Sequence, residues 1–235
     1  MNVVMILAGG VGSRVGADRP KQFIEIGGKP ILAYTMDIFE QNNRIDCIEI
    51  VCHHKWLVYC KNMIRKYGFS KIKWVVEGGN TFQKSVINGI NHLLQEGICD
   101  DDFVYIQYGA APFTSQKIVN SVIDMTEKKG MAVTATPCYQ LISKRTTDDS
   151  SCEYCNRDEF IQIACPYGFR FEYLVDIYNR GRKNELLDIV DPHTTSLMYA
   201  LGDTVFYTYG EQSNIKITTK EDVELFEHFV NGLNV

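Results

Sequence analysis

Short apolar runs alternate along this chain with stretches whose apolar side chains recur at helical spacing, and that alternation restricts the folds open to it. Asn2–Ala8 is a short apolar run of the kind that forms a strand covered on both faces. Residues 45–52, 71–77 and 103–107 read as further strands, as does Met131–Pro137. Between them lie helical patterns. Ile31–Glu40 follows Pro30 and carries Ile31, Leu32, Met36 and Phe39. Residues 55–67 end at Gly68, and residues 81–95 group Val86, Ile90, Leu93 and Leu94 on one face. Ser115 is placed to cap a helix bearing Ile118, Val119, Val122 and Ile123. This order predicts an α/β domain with a mostly parallel sheet covered on both faces.

The rhythm breaks after Pro137. Residues 138–163 are polar and β-like, with a turn-rich centre at 146–151, and read as an arm inserted into the domain. The α/β pattern resumes with a helix at 171–179, a strand at 205–209 and a final helix at 219–231, where Thr218 or Thr219 precedes Glu221 and Asp222 as a capping sequence. With no repeat or low-complexity linker, the 235 residues are read as one domain, 1–235, with the arm at 138–163.

Charge narrows the function. Lys and Arg total 24 against 29 Asp and Glu, a net charge of −5, which argues against nucleic acid as a partner. No apolar run approaches the roughly 20 residues of a membrane helix. The start has no basic segment before its apolar stretch and does not read as a secretory signal. The expectation is a cytoplasmic chain whose 8 cysteines remain thiols.

The densest chemical signal is Leu7-Ala8-Gly9-Gly10-Val11-Gly12-Ser13-Arg14, followed by Pro20-Lys21-Gln22-Phe23. Glycines directly after a strand let backbone N–H groups approach an anion with no Cβ in the way. Arg14 and Lys21 can reach the same phosphates, which favours phosphate binding over a plain glycine turn. The dinucleotide fingerprint fails because Val15 stands where its third glycine belongs, and this argues against an oxidoreductase. The P-loop fails because Gly28-Lys29 is followed by Pro30.

What remains resembles the glycine loop of sugar-nucleotide pyrophosphorylases. More specifically, it resembles the cytidylyltransferases that act on 2-C-methyl-D-erythritol 4-phosphate and ribitol 5-phosphate. Glu77-Gly78-Gly79 with Ser85-Val86-Ile87-Asn88-Gly89, then Ala110, Pro112 and Phe113, then Asn156-Arg157, then Asn214-Ile215-Lys216-Ile217-Thr218 follow in the family's order. The resemblance covers nearly the whole chain. It implies a doubly wound, nucleotide-diphospho-sugar transferase-like sheet with a β-arm that pairs two subunits in a homodimer. It also implies a reaction in which a phosphate oxygen of a small phosphorylated polyol attacks the α-phosphorus of CTP and pyrophosphate leaves. By the same resemblance Arg14, Lys21 and Lys216 are the catalytic cations. Ala8, Gly9, Gly10, Gly12, Gly79, Ser85 and Gly109 bind the nucleotide, with Gly79 and Ser85 lining the cytosine pocket. Arg157, from the partner's arm, holds the substrate phosphate. No protein metal ligand is assigned; Mg2+ is expected to be held mainly by the CTP phosphates.

Several positions depart from the family pattern. Its Asp-Ala-Ala-Arg reads Tyr108-Gly109-Ala110-Ala111, the arginine before its serine is Phe82, its Asp-Thr is Gln140-Leu141, and its Thr-Pro-Gln is Cys165-Pro166-Tyr167. The changes fit either a different acceptor or a catalytically silent CTP-binding homologue. Persistence of Arg14, Lys21 and Lys216 favours a working enzyme. Tyr105, Tyr108, Tyr139 and Tyr167 either replace lost charged contacts or pack at a subunit contact. Cys152 and Cys155, flanked by Cys138 and Cys165, read as free thiols rather than a zinc site. His53 and His54 are read as loop or helix-entry residues, since neighbours on a strand face opposite ways. His193 lies near the acceptor segment, as a polar contact or a helix start. Asp100-Asp101-Asp102 reads as a solvated turn.

Overall fold

A computed structural model describes residues 1–10, 19–187 and 189–232 of the chain. Seven strands build the central sheet: β1 (Asn2–Ala8), β2 (Cys47–Cys52), β3 (Ile72–Glu77), β4 (Phe103–Tyr108), β5 (Met131–Pro137), β6 (Ile161–Arg170) and β7 (Tyr207–Tyr209). Their spatial order is β7-β5-β6-β4-β1-β2-β3. Pairings β1–β2, β1–β4, β2–β3 and β5–β7 are parallel, while β6 runs antiparallel between β4 and β5. The helices are α1 (Ile31–Glu40), α2 (Leu57–Tyr67), α3 (Phe82–Gln95), α4 (Gln116–Lys129), α5 (Phe171–Lys183), α6 (Thr194–Ala200) and α7 (Lys220–Gly232).

The sheet is covered on both faces, as the alternation predicts. Val3 and Met5 of β1 pack with Val86, Ile90 and Leu93 of α3 and with Phe171, Leu174 and Ile177 of α5. Val4 and Ile6 of the same strand pack with Leu32, Met36 and Phe39 of α1, Met63 of α2 and Val122 of α4. Every residue from Val3 to Ile6 is therefore buried, which is why this strand is apolar without alternation. A third, smaller cluster seats Phe226 and Val230 of α7 against Ile26, Ile31 and Ile217.

The helix signals locate their elements well. Thr81 and Ser115 accept hydrogen bonds from the Lys84 and Ile118 N–H groups, capping α3 and α4, and Gly68 ends α2 in the left-handed conformation at φ 70°. Helix α2 is preceded by a 3-10 turn, His54–Trp56, so the helix expected from residue 55 begins later. Strand β6 was not anticipated beyond residue 163. It carries Cys165-Pro166, whose proline has no N–H to give to a ladder; the register shift between Ala164 and Tyr167 accommodates both residues. Helix α6 opens at Thr194 with His193 at its N-cap, which bears out the helix-start reading of His193, and the expected strand at 205–209 narrows to β7. Within the expected arm, Ser143–Lys144 pairs antiparallel with Glu153–Tyr154, and a 3-10 turn follows at Arg157–Glu159. The arm returns to the sheet at Ile161, opposite Pro137, two residues before its expected end.

One carboxyl group is buried in the middle of this fold. Glu49 of β2 is fully buried, and its Oε1 lies 2.8 Å from Nδ1 of His92 on α3. Its Oε2 has no hydrogen-bond partner among the described residues. Burial, with a smaller contribution from Glu96, pushes the carboxyl up to about 9 from its usual 4.5. Folding therefore takes up a proton between these values, and stability falls as pH rises through that window. Glu49→Gln keeps a donor toward His92 and removes the titration. The melting temperature of Glu49→Gln relative to the unsubstituted protein is expected to rise between pH 6 and pH 9; melting curves that shift in parallel would refute this.

Candidate active site

In a sheet of this kind, the crevice where strand order reverses lies outside the carboxyl ends of the strands and is the usual ligand site. Here the reversal falls between β1 and β4. A cavity of about 590 Å³ opens there, lined by Leu7, Gly9 and Gly10 at the end of β1, His53 and His54 after β2, Glu77–Gly79 at the end of β3 and Tyr108–Ala110 at the end of β4. Lys21, Gln22, Asn80, Thr81, Phe82, Ser85 and Lys216 complete the wall.

Local hydrogen bonds shape this wall. Gln22 is buried, and its Nε2 donates to the carbonyls of both Ala8 and Gly10 at 2.8 Å. The two carbonyls are thereby turned onto Gln22 rather than into the cavity. Neighbouring Lys21 donates through Nζ to the Ile217 carbonyl, tying the 3-10 turn Lys21–Phe23 to the segment that carries Lys216. On the opposite side Ser85 Oγ accepts from the Gly79 N–H at 3.1 Å and donates to the Thr81 carbonyl at 2.9 Å. A Cβ on Gly79 would lie 2.3 Å from the Lys84 Cβ, so only glycine fits this turn.

A second cavity, of about 400 Å³, adjoins the first. Its lining carries several uncharged polar side chains, including Thr134, Thr136, Gln162, Thr195, Gln212 and Asn214, with Glu211 as a carboxylate. Tyr108 and Lys216 line both cavities. Asn214, buried, holds the Lys216 segment in place: Nδ2 donates to the Cys165 carbonyl at 2.7 Å, and Oδ1 accepts from Thr114 Oγ1 at 2.8 Å. His193 also faces the second cavity, and burial followed by the charge of Lys216 lowers its basicity. It is neutral at pH 7. Burial lifts the Cys165 thiol to about 11, so it is no thiolate nucleophile at neutral pH.

The structure brings Lys21, Lys216, Gly9, Gly10, Gly79, Ser85 and Gly109 together around the larger cavity. Ala8 is buried beneath it and contributes its carbonyl to Gln22 rather than a surface to the lining. Arg14 and Gly12 lie outside the described residues. Arg157 lines neither cavity of its own chain; it is exposed, with Nη1 donating to the Tyr139 carbonyl at 2.8 Å. Of the tyrosines, Tyr108 and Tyr167 reach the site, Tyr105 is buried in the core, and Tyr139 is exposed on the arm. Among the described residues, no three His, Cys, Asp or Glu side chains converge as a metal site. His53 and His54 are the helix-entry residues expected, since the strand ends at Cys52 and His54 opens a 3-10 turn; off the strand, they stack at 4.3 Å and both line the cavity, so the opposite-face argument does not keep them apart. Gln22 was visible in the Pro-Lys-Gln-Phe motif, yet its work on two carbonyls requires a fold to be seen.

Comparison with known proteins agrees with this geometry. Residues 2–232 match the family described as IspD, 2-C-methyl-D-erythritol 4-phosphate cytidylyltransferase. The chain is 32% identical over 230 residues to a ribitol-5-phosphate cytidylyltransferase of Lacticaseibacillus paracasei, covering 98% of each protein. It is 36% identical over 233 residues to a 2-C-methyl-D-erythritol 4-phosphate cytidylyltransferase of Clostridium tetani, covering 99% of this chain and 92% of the relative. The crystal structure of a 4-diphosphocytidyl-2C-methyl-D-erythritol synthase from Anaerococcus prevotii superposes with a TM-score of 0.80 at 24% identity, covering 98% of both chains, and shares the fold. A match running from the first strand to the last helix makes this chain a member of the IspD cytidylyltransferase family.

Proposed function

We propose that this protein transfers CMP from CTP to a small phosphorylated polyol, 2-C-methyl-D-erythritol 4-phosphate, ribitol 5-phosphate or a related phosphate or phosphonate. The products are a CDP-linked polyol, of the kind used as an isoprenoid or surface-polysaccharide precursor, and pyrophosphate. The observation that carries the reading is that Lys216 lines both cavities, which places one lysine between two substrate sites. CTP occupies the larger cavity, with its base toward Gly79 and Ser85 and its phosphates toward Gly9, Gly10 and Lys21. The acceptor occupies the smaller one, where hydroxyl and amide side chains suit a polyol.

The chemistry needs no protein nucleophile. An acceptor phosphate oxygen forms a bond to the α-phosphorus as the bond from that phosphorus to the bridging α–β oxygen breaks, and pyrophosphate carries away the electron pair. Positioning and charge neutralisation are the main catalytic effects in such a displacement. Lys21 and Lys216, with Arg14, supply the positive charge. CTP enters as its Mg2+ complex, and Mg2+ keeps waters and phosphate oxygens as most of its ligands. This fits a lining in which Glu77 is the carboxylate among the described residues and Tyr108 is a neutral phenol.

Arg157 serves the acceptor of the second subunit in a homodimer. Support comes from its absence from the lining of both cavities of its own chain and from the exposed apolar side chains of its arm, Leu141 at 91%, Tyr154 at 89% and Phe160 at 46%. The planar guanidinium suits a phosphate. A cytoplasmic location is in keeping with the reading; no described helix is long and apolar enough to cross a membrane.

Pyrophosphate release from CTP with a panel of phosphorylated polyols tests the activity. Release with at least one acceptor is expected, whereas CTP binding by calorimetry with no release for any of them would establish a silent homologue. Lys21→Ala and Lys216→Ala are each expected to lower kcat by about 10²–10³-fold. Overpacking of about 1–3 kcal/mol at the Ser85 turn leads Gly79→Ala to weaken CTP binding about tenfold or more, measured by calorimetry. Mixing inactive Arg157→Ala and Lys216→Ala subunits is expected to restore about a quarter of wild-type activity through one intact site per mixed dimer. No recovery on mixing would place Arg157 outside the partner's site.

A further inference from the structure

Tyr108 stands at the end of β4, on the boundary between the two cavities. Its ring is braced on three sides by edge contacts. Phe82 lies at 5.8 Å, Tyr167 at 5.9 Å and His193 at 5.9 Å between ring centroids. Its hydroxyl is 2.8 Å from the Tyr167 hydroxyl and 2.8 Å from Nδ1 of His193. The ring thus cannot turn without breaking two hydrogen bonds and three aromatic contacts. The Lys216 ammonium sits over this ring, 4.2 Å from its centroid.

An ammonium at that distance from an aromatic face is attracted by the ring quadrupole, the more strongly where water is excluded. Lysine has a flexible stem and no fixed fork, so its charge is placed only as well as its surroundings hold it. We propose that Tyr108 is a positioning residue: its locked ring holds the Lys216 ammonium on the boundary where nucleotide and acceptor meet. The inference rests on the cytidylyl-transfer reading for its kinetic consequence, but not for the contact itself. Burial raises the phenol far above its ordinary value, so the ring acts as a neutral platform across the working pH range. The hydroxyl serves to lock the ring, and the π face serves to hold the charge.

That division of labour separates two substitutions. Tyr108→Phe keeps the face and loses the hydroxyl bonds; Tyr108→Leu loses both. Steady-state kinetics are expected to show Tyr108→Phe within about threefold of wild type, and Tyr108→Leu with kcat down about tenfold while KM for CTP moves less than about threefold. In a Lys216→Ala background, Tyr108→Leu is expected to cost nothing further, because the residue acts through the missing ammonium. Equal rates for the Phe and Leu variants, or full additivity with Lys216→Ala, would overturn the proposal.

A second readout needs no turnover. Competitive acetylation with acetic anhydride, followed by peptide mass spectrometry, reports the reactivity of Lys216 in the unliganded protein. Loss of the aromatic face is expected to raise it about threefold in Tyr108→Leu and leave it unchanged in Tyr108→Phe, since cation–π contact favours the charged, unreactive form. Equal reactivity in both variants contradicts the contact. Tyr108→Met, which fills the space without a π face, repeats both measurements if melting shows the leucine variant unfolded. If the wild-type protein releases no pyrophosphate, the functional reading fails, and the acetylation series alone still decides for or against the contact.

Discussion

The parallel pairing of β1 with β2 on one side and with β4 on the other governs the rest of this structure. Parallel neighbours end at the same edge of a sheet, so the segments after Ala8, Cys52 and Tyr108 are delivered to one place. Helices then cover both faces, and the crevice left at the strand ends is the opening available to a ligand. The glycines after β1 can line it because Gln22 takes the carbonyls of Ala8 and Gly10. The C-terminal segment closes the other side, with Asn214 pinned between Thr114 and Cys165 and Ile217 donating to the Ala110 carbonyl at 2.8 Å.

Charge is distributed by the same logic. The chain as a whole carries −5, which bears on solubility and not on the site. Lys21 and Lys216 face the cavity from two different segments. Burial lowers the basicity of both His53 and His193, with neighbouring positive groups acting in the same direction, so both are neutral at pH 7.

Much of this was legible in the residues. The apolar run of β1 and the caps at Thr81 and Ser115 announce an α/β sheet, because periodicity and capping are local properties. The glycine loop and Lys216 are legible for a different reason, since they match a family pattern in order and spacing. What was hidden depends on distant contacts. Strand β6 carries a proline and a glycine, and only its place between β4 and β5 makes it a strand. Gly168 within it has no room for a side chain, because Thr126 Oγ1 would lie 2.1 Å from a Cβ there. The joint role of Phe82, Tyr108, Tyr167 and His193 was equally hidden: they come from four separate segments, and as single positions the first three appear only as departures from a pattern and His193 as a polar contact or a helix start.

In the proposed reaction two substrates meet across Lys216, with the nucleotide in the larger cavity and the acceptor in the smaller. A crystal structure with a non-hydrolysable α,β-methylene analogue of CTP and a phosphorylated polyol tests it most directly. The cytosine is expected against Gly79 and Ser85, the acceptor among Thr134, Gln162 and Thr195, and an acceptor phosphate oxygen facing the α-phosphorus beside the Lys216 ammonium. A nucleotide base seated in the smaller cavity, or both ligands bound with Lys216 turned away from the α-phosphorus, would contradict it.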